Sequence, residues 1–129
     1  MAANTQPIFT LTPVCTVGQV TTANTARDGT GTIATIFTAG ADGSRIEAIE
    51  VCGTGTTTSG VVRIFIHDGS NARLLKEMLV PAVTPSTSIE VWREIFVPAV
   101  PLVLPSTHSI RASTHIGETF NVFVHGGSF

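Results

Sequence analysis

Four histidines are the residues of this 129-residue chain that first raise the question of a metal site. They are His67, His108, His115 and His125. Zinc needs three or four ligands that converge, usually with at least one closely spaced pair. Only His108 and His115 lie near each other in sequence, and a predicted strand separates them. We therefore expect no metal site and no cofactor.

The acidic residues Glu90 and Glu94 raise a second possibility, the carboxylate pair of a glycoside hydrolase. Alternating glutamates on a solvent-facing strand are the commoner arrangement, and Arg63 or Arg93 can neutralise them. The sequence holds no G-x-S-x-G nucleophile elbow. The run Gly53-Thr54-Gly55 resembles a phosphate loop but is followed by neither a helix nor a lysine, so it is interpreted as a hairpin loop. We expect the chain not to be an enzyme.

Asp-Gly occurs at three places, Asp28-Gly29, Asp42-Gly43 and Asp68-Gly69. A calcium loop would need a D-x-D spacing and a terminal glutamate, both of which are missing. Because Gly and Asp are typical turn residues, all three pairs predict turns.

The two cysteines, Cys15 and Cys52, are too few for a disulfide framework and lack the spacing of metal ligands. We interpret them as two small buried side chains, since cysteine is among the most buried residue types. A Cys15–Cys52 disulfide is the alternative, and it would appear in mass spectrometry without reductant as a deficit of about two daltons from the two lost thiol hydrogens.

The elements that must position these residues are strands. Val, Ile and Thr dominate, and they alternate with turn residues as in a protein of many short strands. In the clearest strand, 60–67, one face carries Val62, Ile64 and Ile66. A helix is the alternative for 74–79. The predicted strands are residues 30–39, 44–52, 60–67, 73–80, 86–97, 101–104, 108–114 and 119–125, the last two paired through a turn at 115–118. The prediction is therefore all-β, a single-domain antiparallel β-sandwich or jelly roll of about eight strands.

The first 22 residues differ from the rest, because Pro7 and Pro13 interrupt a Thr-rich extended stretch. We interpret residues 1–22 either as an arm that lies along a neighbouring subunit or as an edge strand, and residues 23–129 as the sandwich domain. The N-terminus lacks the pattern of a signal peptide, and no stretch of about 18 apolar residues predicts a membrane helix.

Charge is scarce in this chain. Charged residues make up 12% of it, against about 25% in an average globular protein. The net charge is −2, and Lys76 is the only lysine. This excludes the basic surface of a nucleic-acid binder. A small domain with 43% hydrophobic residues and so little charge is expected to bury part of its surface against other subunits.

The segments 43–49, 60–69, 74–77, 101–105, 109–113 and 119–122 carry a resemblance that spans residues 30 to 129. In them the sequence resembles a group of small tailed-bacteriophage virion proteins. The resemblance implies a head decoration (cement) protein with a β-sandwich fold, located on the virion capsid surface and assembled in the host cytoplasm. It also implies a homo-oligomer, a trimer by preference, that clamps neighbouring copies of the major capsid protein and has no catalytic residues.

Four residues are predicted to form the interface with other subunits or with the capsid. They are Phe9, Leu11, Trp92 and Phe129, although Trp92 is also suited to the core. The alternative function is a tail or baseplate module that binds a host-surface glycan. Sugar binding favours exposed Trp and Tyr, and one Trp with no Tyr makes this alternative the weaker one.

Overall fold

Segments rich in Val, Ile and Thr pair into two antiparallel sheets in the computed structural model, which describes residues 10–129. These residues form no helix, and therefore none that could span a membrane. The predicted single-domain β-sandwich is confirmed. The nine strands are β1 (Thr12–Val20), β2 (Ala34–Thr38), β3 (Ser44–Gly53), β4 (Gly60–His67), β5 (Ala72–Val80), β6 (Arg93–Phe96), β7 (Leu102–Leu104), β8 (Ser109–Thr114) and β9 (Phe120–Ser128).

The two sheets share the strands unequally. Sheet A has the order β1-β9-β3-β6, and β7 pairs with β3 on the same edge as β6. Sheet B has the order β2-β8-β4-β5. Among the described strands only β4 and β5 are both consecutive in the chain and paired, so most connections cross from one sheet to the other. Strand β1 (Thr12–Val20) lies at one edge of sheet A, where it pairs antiparallel with β9 of the same chain.

The core lies between the inner faces of the sheets. Alternate residues of each strand point inward, as expected for pleated backbone. Ile49 and Val124 from sheet A meet Ile64 and Met78 from sheet B, and all four are completely buried. The face predicted for β4 is confirmed, and residues 72–80 are a strand and not a helix.

Two predicted strands are too long, because local hydrogen bonds occupy the backbone groups that a ladder would use. Thr30 and Thr32 lie outside β2, and their carbonyls accept hydrogen bonds from the Asn24 side chain, each at 2.9 Å. Residues 86–92 lie outside β6, since Ser86 and Ile89 bond to each other through their main chains.

The predicted pairing of residues 108–114 with 119–125 is wrong, because β8 lies in sheet B and β9 in sheet A. The predicted hairpin at Gly53-Thr54-Gly55 is also wrong, since this loop connects β3 in sheet A with β4 in sheet B. Its Thr57 instead forms two main-chain hydrogen bonds with Val83, of 2.8 and 3.1 Å.

Residues 21–33, here called the covering loop, cross the outer face of sheet B. Asn24 donates its main-chain N–H to the Thr114 carbonyl on β8 and accepts a bond from Arg63 on β4. Arg27 pairs with Glu77 on β5. Strand alternation points Arg63 and Phe65 away from the core, yet they are only 2% and 0% exposed. The covering loop accounts for this burial, because it crosses three of the four strands on that face, β8, β4 and β5.

The path of the covering loop requires glycine at two positions. Gly29 and Gly31 have φ angles of +90° and +80°, which disfavour residues with a side chain. A Cβ atom at Gly29 would also clash with the Ala72 carbonyl oxygen. The predicted turn at Asp28-Gly29 is therefore present, and it forms part of a longer ordered loop.

The guanidinium of Arg63 joins the covering loop to sheet B. Its Nε donates to Glu77 Oε2 at 2.8 Å, and a terminal nitrogen donates to the Asn24 carbonyl at 3.1 Å. Arg27 donates to the same Glu77 oxygen at 2.7 Å. These bonds replace the water that Arg63 loses on burial, so the charge is tolerated beneath the loop.

We expect Arg63→Ala to lower the free energy of unfolding by about 2 kcal/mol, because it leaves the buried Asn24 carbonyl without its donor. Urea denaturation measures this change. Arg27→Ala is the matched control at the same carboxylate. Arg27 is 64% exposed in its side chain, so its removal should change the free energy of unfolding by less than half as much. Equal effects of the two variants would contradict the role of Arg63.

Acid should weaken the same contact. The hydrogen bond from Arg27, and after it the one from Arg63, lowers the pKa of Glu77 below its ordinary value of 4.5, although desolvation opposes the shift. A lowered folded-state pKa stabilises the protein above the ordinary value, and this stabilisation is lost as the pH falls through the folded-state value. Wild-type stability should therefore fall more steeply than that of Glu77→Gln between about pH 5 and pH 3. The assignment would be contradicted if the free energies of unfolding of the two proteins fell equally with pH across this range.

Candidate functional site

The outer face of sheet A has no covering segment among residues 10–129, in contrast to that of sheet B. Side chains at alternate positions point outward from each of its strands. Val17 on β1 lies opposite Phe123 on β9, and Ile95 on β6 continues the same row across β3. Val17 and Ile95 are 56% and 55% exposed. We call this surface the apolar face, and its members are Cys15, Val17, Ala48, Ile95 and Phe123.

One carboxylate lies in the middle of the apolar face. Glu50 occupies the row between Phe123 and Ile95, and only 14% of its side chain is exposed. Arg93 donates a hydrogen bond to it, and the pKa of Arg93 is raised by this bond and by the glutamate charge. His125 Nε2 lies 4.0 Å from the other carboxylate oxygen. The charge of Glu50 is therefore balanced within the chain.

Polar pairs surround the apolar side chains. Gln19 donates to Asn121 at 2.8 Å at one end of the apolar face. Arg45 and Glu47 form an ion pair of 2.7 Å at the other end. An apolar centre inside a polar rim is the usual composition of a protein–protein interface. The arginines and glutamates on this face cancel in charge, which suits contact with another copy of the chain better than contact with a strongly charged partner.

A second set of exposed apolar side chains lies around the short edge strands β6 and β7. Val97 and Val100, in the connection between these strands, are 66% and 74% exposed. Short edge strands leave main-chain groups unpaired, and native proteins usually protect such edges with charge. We call this set the edge patch, and its members are Val97 and Val100.

The four residues predicted for the interface occupy different surroundings. Leu11 is 84% exposed and immediately precedes β1. Trp92 is partly buried and meets Phe120 edge to face, with ring centroids 6.0 Å apart. Phe129 is partly buried, and its main-chain N–H donates to the Gly43 carbonyl. Phe9 lies outside the described residues.

The sequence did not predict Val17, Ile95 and Phe123 as surface residues of one face. Whether an outward-pointing strand residue is exposed depends on what covers that face of its sheet. The alternation along 86–97 did place Ile95 on one face with Val97. Register with β3 was then needed to show that Ile95 joins Val17 and Phe123.

The cysteine prediction is wrong about burial. Cys15 is exposed and Cys52 is half-buried, since both occupy outward positions of sheet A. Both are free thiols. Strand β9 lies between their strands and separates their backbones by about 9.5 Å even in the same row, which is too far for a disulfide.

The residues considered for catalysis or metal binding are dispersed. Within residues 10–129, no three His, Cys, Asp or Glu side chains come together as metal ligands would. Glu94 belongs to β6, but Glu90 precedes it, so the expected pair on one strand face is not formed.

No protein-family model matches the chain, and comparisons with curated proteins and with solved structures give no match either. The surfaces described above are therefore the features of the chain that bear on its function.

We expect copies of the chain to associate through the apolar face. Val17→Asp should shift an oligomer toward the monomer and raise the dissociation constant at least about tenfold, because it buries an unpaired charge in the contact. Sedimentation velocity across a concentration series measures the shift. Leu79→Asp is the matched control, since Leu79 is 74% exposed on an edge strand of sheet B. A wild-type chain that stays monomeric at 100 µM, about the order at which weak interfaces assemble, would contradict this role.

Proposed function

We propose that this chain is a structural virion protein of a tailed bacteriophage, which decorates the capsid as an oligomer and stabilises the lattice of the major capsid protein. The observation that carries the proposal is the uncovered apolar face on a sandwich with few charged residues. Val17 and Ile95 remain more than half exposed there, although a monomeric protein of this size would gain solubility from polar residues at both positions.

A decoration protein needs two kinds of contact, one with its own copies and one with the capsid. The apolar face is suited to the first, since its charges are balanced and the same surface can be presented by each copy. In a closed cyclic oligomer, a trimer in this proposal, every copy can bury this face against its neighbours.

The edge patch is suited to the second contact. Val97 and Val100 lie on the opposite edge of sheet A from β1, in a connection that other strands do not cover. Copies joined through the apolar face would each present an edge patch to a neighbouring capsid subunit. Several weak contacts of this kind, made at once, hold far more tightly than one.

The alternative is a tail or baseplate module that binds a host-surface glycan. Trp92 gives it little support, because the ring packs against Phe120 and is not offered as an exposed stacking platform. A polar pocket on sheet B, described below, is the observation that favours it.

The proposal predicts that the purified chain binds expanded phage heads that lack their decoration protein. The double variant Val97→Asp/Val100→Asp should weaken this binding at least about tenfold, because it places charge in the apolar contact, yet it should leave self-association unchanged. Co-sedimentation with heads measures binding, and sedimentation velocity measures association.

Leu79→Asp again serves as the control and should bind heads like the wild type. Failure of the wild-type chain to bind heads, together with selective binding on a glycan array, would overturn the capsid proposal in favour of the alternative.

A further inference from the structure

A polar pocket of about 240 Å³ opens between the covering loop and the outer face of sheet B. The loop contributes residues 28–31 to its wall, and the turn after β4 contributes Ser70 and Asn71. The floor carries His67 at the end of β4 and Arg111 on β8. Neither the apolar face nor the edge patch includes these residues, so the pocket is independent of the proposed capsid contacts.

Arg111 lines the pocket, and only one of its guanidinium nitrogens is hydrogen-bonded within the described residues. Its Nε donates to Ser109 Oγ at 3.0 Å, which orients the guanidinium. The two terminal nitrogens make no hydrogen bond and no ion pair with any group of residues 10–129. A fixed guanidinium with both terminal nitrogens available is the geometry that binds a carboxylate through two parallel hydrogen bonds.

His67 supplies a further donor beside Arg111. Its Nδ1 accepts a hydrogen bond from the Gly69 main chain at 3.1 Å, so in the neutral ring the proton is on Nε2. In the register of β4 with β8, His67 is opposite Ser109, and Arg111 is two residues further along β8. Such diagonal neighbours on one sheet face are about 7–8 Å apart, close enough for both side chains to contact one small ligand.

Local hydrogen bonds hold both walls of the pocket in shape. The Asp28 carboxylate accepts bonds from the hydroxyl and the main-chain N–H of Thr30, and these bonds lower its pKa. Asp68 accepts main-chain bonds from Ser70 and Asn71, which lower its pKa as well. The pocket is therefore present before a ligand enters, and ordered walls reduce the entropy lost on binding.

We propose that this pocket binds a small hydroxylated carboxylate, of the class of a single hexuronate sugar. Arg111 takes the carboxylate, His67 donates to it or to an adjacent hydroxyl, and Asp28 and Asn71 take the remaining hydroxyls. The ionised Asp28 disfavours a phosphate dianion more than a carboxylate, because repulsion grows with ligand charge. The volume suits one sugar unit, since pockets for larger ligands measure about 300–1,000 Å³.

Titration of the full chain with sodium glucuronate, followed by ¹H–¹⁵N NMR, tests the proposal. We expect saturable shifts of the Gly29, Gly31 and His67 resonances with a Kd on the order of 1 mM, as befits a ligand of this size. Glucose lacks the carboxylate and acetate lacks the hydroxyls, so each should bind at least about tenfold more weakly. Equal binding of acetate, or tighter binding of inorganic phosphate, would overturn the proposed ligand class.

Variants of the guanidinium test the residue assignment. Arg111→Gln should weaken glucuronate binding at least about tenfold. Arg111→Lys keeps the positive charge but lacks the two parallel N–H donors of the guanidinium, so it should weaken glucuronate binding as well. Arg73→Gln is the matched control, because it removes an exposed positive charge from the same end of sheet B without touching the pocket. Unchanged binding in Arg111→Lys, or no saturable shift in the wild type, would overturn the proposal whether or not the chain binds phage heads.

Discussion

The structure depends on the hydrogen bonds that the buried Arg63 guanidinium makes beneath the covering loop. A charged group without water must have its donors satisfied, and Asn24 and Glu77 accept them from two directions. The Asn24 side chain donates to the Thr30 and Thr32 carbonyls and so ties the loop to itself. The Asn24 main chain ties the loop to sheet B through its bonds with Thr114 and Arg63. This requirement fixes thirteen residues of irregular backbone in one path across three strands.

That path makes the two faces of the sandwich unequal. Sheet B is covered by its own chain, and the covering leaves a small polar pocket at the margin of the loop. No segment of residues 10–129 covers the outer face of sheet A, and Val17 and Ile95 are exposed there around the paired charge of Glu50. One face therefore suits a small polar ligand, and the other suits association with protein. The division arises from where one loop lies, and both faces are built from the same kind of strand.

The strands were predictable where alternation, length and turn residues agreed. Residues 60–67 and 73–80 are bounded by Gly and Pro and joined through Asp68-Gly69, so their pairing is local and visible in sequence. Residues 30–33 and 86–92 have the same β-branched composition but are not strands. Their backbone groups are engaged by the Asn24 side chain in the first case, and in the second by the bonds between Ser86 and Ile89. Composition does not reveal such competition.

The sequence by itself determined the all-β class, the positions of most turns and the shortage of charge, because each follows from residue type and short-range spacing. The tertiary structure alone decided which strands pair and which faces are covered, because those depend on contacts between distant parts of the chain. Thus β8 and β9, adjacent in sequence, lie in different sheets. Arg63 occupies an outward strand position and is nevertheless buried, whereas Cys15 is exposed. The burial of a residue on the outer face of a sheet depends on which segment crosses that face.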